Sequence, residues 1–175
     1  IIEAVGEAVT KAKPGQKATA RPQLVCGSCG PCIKGQYNAC QKLKVQGFQA
    51  PGTAQDFFMV PEDRLVVLPD AITLDQGAMV EPAAVGAHST SRTSGIEGKN
   101  VVVSGAGTIG NLVAQFAKVR GAKKVLITDI SDHRLEIAKQ CGIDGTLNVA
   151  KTPFAAGVTA FFGNEGFQIG FEAAG

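Results

Sequence analysis

The pattern of apolar and polar positions changes near residue 100. Beyond it, short apolar runs alternate with stretches in which apolar residues recur every three or four positions, as Ile109, Val113 and Phe116 do. This alternation predicts strands at 100–104, 124–128, 145–149 and 167–172, and helices at 109–120, 132–141 and 153–163, the last with Thr152 as its N-cap. Strands separated by such helices pair in parallel, so this half predicts an α/β fold.

The first half of the chain shows no such alternation. Its pattern predicts short extended segments at 1–5, 17–25, 57–60 and 65–68, separated by turn residues such as Pro14 and Gly15. Short strands and frequent turns predict a different, strand-based unit ahead of the α/β unit.

Composition excludes several classes of protein. The 175 residues are 45% hydrophobic and 18% charged, which is too apolar and too weakly charged for a disordered chain. The net charge of +2 forms no basic stripe, so no nucleic acid is expected as a partner. No apolar run approaches the roughly 18 residues that span a membrane, and the first residues predict no signal peptide. We therefore expect a cytoplasmic protein without a membrane partner.

Four of the five cysteines lie in one 15-residue stretch, spaced C-x2-C-x2-C-x7-C. They are Cys26, Cys29, Cys32 and Cys40. Tetrahedral zinc needs four sulfur atoms at ~2.3 Å from the ion, and the glycines between these cysteines allow the backbone to fold around such a point. Four thiolates leave no open coordination position, so we predict a structural zinc ion.

Two other interpretations of these cysteines are open. A disulfide-bonded loop, or four unrelated thiols, is disfavoured because nothing else in the sequence indicates secretion. An iron–sulfur cluster usually follows C-x2-C-x2-C-x3-C-P, whereas here the last step is seven residues and Gln41 follows Cys40. The fifth cysteine, Cys141, stands alone at the end of a predicted helix, and we interpret it as a small buried residue.

A glycine-rich turn follows the apolar run Val-Val-Val-Ser and precedes a helical pattern. Gly105 permits a tight turn, Gly107 lets a pyrophosphate approach the backbone, and Gly110 lets helix and strand pack closely. The helix begins at Thr108 and Ile109, whose N–H groups, together with the helix dipole, favour a bound phosphate. The turn therefore predicts a dinucleotide site.

An acid stands where such a site needs one. Asp129 ends the next predicted strand, 19 residues beyond Gly110, where a carboxylate binds a ribose 2′-hydroxyl. The same carboxylate repels a 2′-phosphate, which favours NAD over NADP. Arg134 lies five residues further on, where we expect it to cover the adenosine ribose, and this closeness suggests some tolerance of NADP. A glycine turn without a ligand is the alternative, and the complete strand–turn–helix–strand–acid order argues against it.

Together these motifs resemble a known family. The four-cysteine lobe, the glycine turn some 65 residues later and the string Glu-Pro-Ala-Ala-Val-Gly-Ala-His at 81–88 resemble the zinc-containing medium-chain dehydrogenases/reductases. The 81–88 string is similar to the polyol branch (sorbitol, L-iditol and galactitol dehydrogenases). Thr108 stands where that branch more often has proline.

The resemblance implies a fold made of two domains. It implies an incomplete Rossmann-type parallel sheet with helices, preceded by part of a GroES-like β-barrel catalytic domain that bears the zinc lobe at 26–40. The catalytic part would comprise 1–80. A linker helix and the first four strands of the NAD-binding domain would comprise 81–175.

The resemblance also implies an activity. It implies an NAD-dependent zinc oxidoreductase that transfers hydride from a secondary alcohol of a polyol, giving a ketose or ketone, and that forms a dimer or tetramer. Glu81 would lie beside a catalytic zinc ion, as a ligand or bonded to its water and the substrate. The alternative is an exposed glutamate at a helix start. His88 and His133 are not assigned as ligands.

The family holds its catalytic zinc with an upstream cysteine and a Gly-His-Glu segment, which this sequence does not contain. We therefore expect an internal fragment of a longer enzyme, inactive by itself. A non-catalytic NAD(H)-binding or redox-sensing module is the alternative function, and it would not need Glu81. Zinc ribbons are disfavoured by the cysteine spacing, and zinc-free reductases by the presence of the lobe.

Overall fold

The computed structural model describes residues 1–175, which divide into a first unit, Ile1–Ala78, and a second unit, Met79–Gly175. The elements of the first unit are short. In chain order they are β1 (Ala18–Ala20), β2 (Gln23–Leu24), α1 (Gly30–Ile33), β3 (Lys44–Val45), β4 (Leu65–Val67) and α2 (Leu74–Ala78), with 3-10 turns at Tyr37–Ala39 and Glu62–Arg64.

Two antiparallel strand pairs organise the first unit. β1 pairs with β4, so that Ala18 lies opposite Val67, and β2 pairs with β3. Long-range hydrogen bonds supplement these pairs: Lys17 Nζ donates to the carbonyl oxygens of Asp70 and Ile72 at 2.9 and 2.7 Å. Few apolar side chains are buried here, so polar contacts hold much of this unit together.

Two predicted strands of the first unit are wrong. Residues 1–5 and 57–60 form no strand, and Phe57 and Met59 are 75% and 94% exposed. β-Forming side chains favour a strand only where a partner strand or a packed face receives them, and no other strand of the chain pairs with these segments. The predicted segment 17–25 is divided into β1 and β2, and 65–68 is confirmed as β4.

The second unit contains helices and strands in alternation. Its elements are α3 (Val80–Ser91), β5 (Asn100–Ser104), α4 (Thr108–Val119), β6 (Lys124–Asp129), α5 (Asp132–Gln140), β7 (Gly145–Asn148), α6 (Phe154–Phe162) and β8 (Ile169–Glu172), with a 3-10 turn at Gly163–Glu165. The predicted helix at 153–163 begins one residue late, because Pro153 rather than Thr152 is the N-cap. No helix of the chain combines the length and the apolar character needed to cross a membrane.

All four strands of the second unit are parallel, in the order β7-β6-β5-β8. This confirms the predicted α/β fold with a parallel sheet. Alternate residues of the central strands bury opposite faces: Val103 and Ile127 join the larger apolar cluster, while Val102 and Leu126 join the one that includes Val158 and Phe162 of α6. Burial on both faces explains why β5 and β6 are almost continuously apolar.

Helix α3 packs on α4 at Gly86. A Cβ at Gly86 would lie 3.0 Å from Cδ2 of Phe116 and 3.1 Å from the backbone of Leu112, so glycine sets the close approach of the two helices. Cys141, which the sequence predicted to be buried, is exposed. It is the C-cap of α5, beyond the buried helix residues Leu135 and Ala138, and Gly142 turns the chain directly after it.

Candidate functional site

The first candidate site is the thiol cluster in the loop between β2 and β3. The chain brings the four predicted ligands together: every pair of sulfur atoms lies within 4.8 Å. The members are Cys26, Cys29, Cys32 and Cys40. Positive φ angles of 71° at Gly27 and 74° at Gly35 reverse the chain beside the ligands, and glycine adopts them without strain.

Backbone N–H groups surround the sulfur atoms. Those of Cys26 and Lys42 each donate to Sγ of Cys40 at 3.4 Å. The backbone N–H groups of Ser28 and Cys29 lower the pKa of Cys26 to about 6, whereas burial raises the pKa of Cys32 to about 12. One thiol is therefore ready to bind a cation at neutral pH, and another must release its proton to the solvent when the cation binds.

This donor set fits zinc. Sulfur atoms at ~2.3 Å from a tetrahedral ion are about 3.8 Å apart, within the spread of the cluster. All four thiols are free, and Cys32 and Cys40 are buried, which shields the bound ion from water. Four thiolates complete the coordination of Zn²⁺, so an ion held here stabilises the loop and has no open position for a substrate.

The second candidate site is the turn between β5 and α4. Gly105 has a φ of 93°, and a Cβ there would lie 2.6 Å from the carbonyl carbon and oxygen of Ala173. A Cβ at Gly110 would lie 1.9 Å from the carbonyl oxygen of Gly105. Both positions therefore require glycine, one for the turn and one for the approach of the helix.

Gly107 serves a different purpose. It is the N-cap of α4, with extended backbone angles of −68° and −176°, which other residues also adopt. No atom lies within 4 Å of a Cβ built at Gly107, so the space above it is open. The first N–H groups of the 12-residue helix, among them those of Thr108 and Ile109, have no partner within it. The arrangement leaves room and donors for an anionic group.

Asp129, the last residue of β6, lies beside this turn. It is only 8% exposed. Oδ2 accepts the backbone N–H of Ala106 at 2.8 Å, and Oδ1 accepts that of Ser131, also at 2.8 Å. Although burial opposes ionisation, these N–H groups hold the pKa of Asp129 below its usual value. A charged carboxylate therefore lies beside the glycine turn, and each oxygen has acceptor capacity left.

Arg134 lies at the outer side of Asp129. Its Nη1 is 3.7 Å from Oδ2 of Asp129, and its side chain is 59% exposed. An exposed guanidinium beside a buried carboxylate places a mobile positive charge where a second anionic group could be received.

Glu81 lies in the first turn of α3 and is exposed. It forms no hydrogen bond and no ion pair within the chain. His88 and His133 are also exposed. The four cysteines are the only group of three or more potential metal ligands in residues 1–175, so the chain brings no cysteine–histidine set to Glu81.

Two features beside Asp129 were not predicted from the sequence. One is the hydrogen bond from Ala106, which joins residues 23 positions apart and leaves no local pattern. The other is Ile130, which is 72% exposed directly after Asp129. An apolar residue between the acid that ends a strand and Ser131, the N-cap of α5, was a signal available in the sequence.

Two protein families match the chain, one in each half. Residues 1–70 match the alcohol dehydrogenase GroES-like domain, and residues 108–175 match the zinc-binding dehydrogenase family.

The similar proteins are dehydrogenases of about twice this length. An L-threonine 3-dehydrogenase of Rhizobium johnstonii is 36% identical to this chain, and the matching region covers 99% of this chain and 50% of the relative's length. Galactitol-1-phosphate dehydrogenase of Escherichia coli is 34% identical with a TM-score of 0.89, over 99% of this chain and 50% of its own. A structure described as a zinc-binding dehydrogenase of Sinorhizobium meliloti 1021 bound to NADP is 27% identical with a TM-score of 0.92, over all of this chain and 52% of its own. The chain thus spans about half the length of the relatives it matches.

Proposed function

Because the chain belongs to the zinc-binding dehydrogenases of the medium-chain family, we propose that it supplies the structural-zinc lobe and the dinucleotide site of an NAD-dependent oxidoreductase acting on a secondary alcohol of a polyol. The observation that carries this proposal is the charged, nearly buried Asp129 at the end of β6, bonded to the glycine turn. That arrangement suits the ribose and pyrophosphate of a dinucleotide.

Each part of the dinucleotide has a matching surface. The pyrophosphate fits the open space at Gly107 and the first N–H groups of α4, where the helix dipole favours negative charge. The adenosine ribose hydroxyls donate to Asp129. The exposed side chain of Ile130 offers an apolar surface to the adenine ring. The bound nicotinamide supplies the hydride acceptor.

We propose NAD as the preferred cofactor. The Asp129 carboxylate accepts from a 2′-hydroxyl and repels a 2′-phosphate. Arg134, 3.7 Å from the same oxygen, offsets part of that repulsion, so NADP binds more weakly rather than not at all. Binding of NADP to the similar Sinorhizobium meliloti protein fits such tolerance.

Titration calorimetry tests this preference. We expect NAD to bind at least about tenfold more tightly than NADP, because one repelled phosphate outweighs one exposed arginine. Asp129→Asn keeps an oxygen acceptor but removes the charge, so it should remove most of the preference. The matched control is Asp132→Asn, which removes an exposed carboxylate three residues away. Equal affinities in the unaltered chain, or no binding of either dinucleotide, would contradict the proposal.

Glu81 is the residue of this chain that we assign to the reaction. In the family a catalytic zinc ion acts as a Lewis acid that lowers the pKa of a bound alcohol. Glu81, exposed and without a partner, is free to bind such an ion or to accept a proton from its water. Because no cysteine or histidine lies with it, we propose that the 175-residue chain alone does not oxidise a polyol. Formation of NADH by the purified chain with a panel of polyols would contradict this.

What the named relatives share supports a proposal for the substrate class. Threonine carries its oxidised hydroxyl at carbon 3, a secondary alcohol, and galactitol phosphate is a polyol. We therefore propose a secondary alcohol flanked by further polar groups, within which a sugar alcohol or a diol is the preferred class.

One observation favours the alternative of a non-catalytic NAD(H)-binding or redox-sensing module. No contact within the chain fixes Glu81, whereas Asp129 is held by two hydrogen bonds. Replacing Glu81 by Gln in a longer protein that contains this chain, followed by measurement of both polyol turnover and dinucleotide affinity, separates the two functions. A dehydrogenase loses turnover but retains dinucleotide affinity, while a sensing module is unaffected.

We also propose a reducing compartment, the cytoplasm, because thiolates bind zinc only while reduced. The family resemblance further suggests a homo-oligomer, a dimer or a tetramer. Light scattering after size-exclusion chromatography measures this directly.

A further inference from the structure

The backbone N–H of Ala106 is buried within the glycine turn. Ala106 is 4% exposed and lies between Gly105 and Gly107 in the glycine turn. A buried N–H needs an acceptor, and a turn residue between a strand and a helix has none in either element. Oδ2 of Asp129 meets that need from 2.8 Å.

Two neighbouring hydrogen bonds tie the turn to the end of β6. The N–H of Gly105 donates to the carbonyl oxygen of Thr128 at 2.7 Å, which extends the sheet ladder by one step. The N–H of Ala106 then donates to the side chain of Asp129. Beyond this point the chain enters α4, so the second bond is the last one from β6 before the helix begins.

The carboxylate is itself fixed in orientation. Its other oxygen accepts the N–H of Ser131 at 2.8 Å, and Ser131 is the N-cap of α5. Asp129 thus joins the start of α5, the end of β6 and the turn ahead of α4. Two oxygens with two acceptor sites each leave room for ribose hydroxyls in addition to these N–H groups.

We propose that Asp129 is a positioning residue for the pyrophosphate-binding turn, in addition to the ribose role described above. Through the Ala106 N–H it holds the turn in the shape that accepts the pyrophosphate before any dinucleotide arrives. Recognition of the ribose and of the pyrophosphate is therefore coupled through one side chain. The ligand part of this inference rests on the proposed function, while the role in the free chain does not.

Hydrogen exchange of the ligand-free chain tests the positioning role. In Asp129→Ala we expect the Ala106 amide to exchange about tenfold faster or more, relative to the core amide of Leu126, because an N–H bond to a charged acceptor is lost. In Asp129→Asn the side-chain oxygen still accepts, so most of the protection is retained. Asp132→Ala is the matched control and leaves the Ala106 amide unchanged. Unchanged protection in Asp129→Ala, or equal acceleration of Ala106 and Leu126, would overturn the proposal.

A second measurement separates the effect of Asp129 on the shape of the turn from its contacts with the ribose hydroxyls. The probe is an NAD analogue that lacks the 2′- and 3′-hydroxyls of its adenosine ribose. If Asp129 acted on the ribose alone, Asp129→Ala would bind this analogue as well as the unaltered chain does. The positioning role predicts a further loss of about tenfold, because the pyrophosphate meets a distorted turn. If the unaltered chain bound no dinucleotide, the proposed function would fail, and hydrogen exchange would still decide the role of Asp129 in the free chain.

Discussion

Gly110 lies directly against the carbonyl oxygen of Gly105: a Cβ at residue 110 would stand 1.9 Å from that oxygen. Gly107, between them in the same turn, has no atom within 4 Å of its own Cβ position. Gly110 is therefore required by the protein itself, whereas Gly107 borders an open space, which the pyrophosphate fills under the proposed function.

The Gly110→Ala substitution should destabilise the chain. The methyl group meets backbone rather than a flexible side chain, so the turn or α4 must shift, at a cost of about 2–3 kcal/mol. For a chain of this size that corresponds to a fall in Tm of roughly 5–10 °C. Thermal unfolding followed by circular dichroism measures it.

Gly107→Ala is the matched variant. Its extended backbone angles suit alanine, and we expect a loss of stability below about 1 kcal/mol from the poorer N-cap. Its methyl group occupies the space assigned to the pyrophosphate, so the affinity for NAD should fall about tenfold or more. Loss of stability in Gly107→Ala equal to that in Gly110→Ala would contradict the division of roles.

Much of the second unit could be predicted from the sequence because its signals are local. Strands buried on both faces appear in the sequence as apolar runs, and the helices appear as apolar residues that recur every three or four positions. The hydrogen bond between Ala106 and Asp129 could not be predicted, because it depends on how two distant segments meet. The sequence predicted that the glycine turn and Asp129 belong to one dinucleotide site, but it did not predict the hydrogen bond that joins them.

The first unit was less predictable for a physical reason. Residues 57–60 have β-forming side chains, yet a strand is stabilised by its partner more than by its own preference. The cysteine cluster was the exception, because metal ligands must converge and their spacing therefore carries tertiary information.

The zinc content of the purified chain should be about one ion per chain. Replacing any cluster member by Ser, for example Cys32→Ser, removes one of four ligands and should abolish stoichiometric zinc. Because the unit buries few other apolar residues, a chelator should also lower its stability. Elemental mass spectrometry normalised to protein, with thermal unfolding before and after chelation, measures both effects.

Cys141→Ser is the control for zinc binding. Cys141 is exposed and outside the cluster, so this variant should retain the full zinc content. Iron in place of zinc would contradict the structural-zinc assignment and favour an iron–sulfur cluster. Two zinc ions per chain would mean a second site with fewer than three clustered ligands.

Stability at acid pH should depend on Asp129. Its pKa in the folded chain lies below that of an unfolded aspartate, so the ionised form favours folding above about pH 4, and this contribution is lost as the pH falls further. The free energy of unfolding should therefore decline with acidification less steeply in Asp129→Asn. Asp132→Asn, which alters an exposed carboxylate whose ion pair with Lys151 is screened by solvent, should change the slope less. Parallel curves for Asp129→Asn and the unaltered chain would contradict the pKa assignment.

Arg134 should act on NADP more than on NAD. Its guanidinium is exposed and 3.7 Å from Asp129, so it can turn toward a 2′-phosphate that the carboxylate repels. In Arg134→Gln we expect the Kd for NADP to rise about tenfold and the Kd for NAD to change by less than about threefold, since only NADP carries the extra anionic group. Arg92→Gln, at the end of α3, removes the same charge outside the motif and should leave both constants unchanged. An equal loss for both dinucleotides would mean that Arg134 supports the adenosine moiety itself, and the tolerance of NADP would then need another cation.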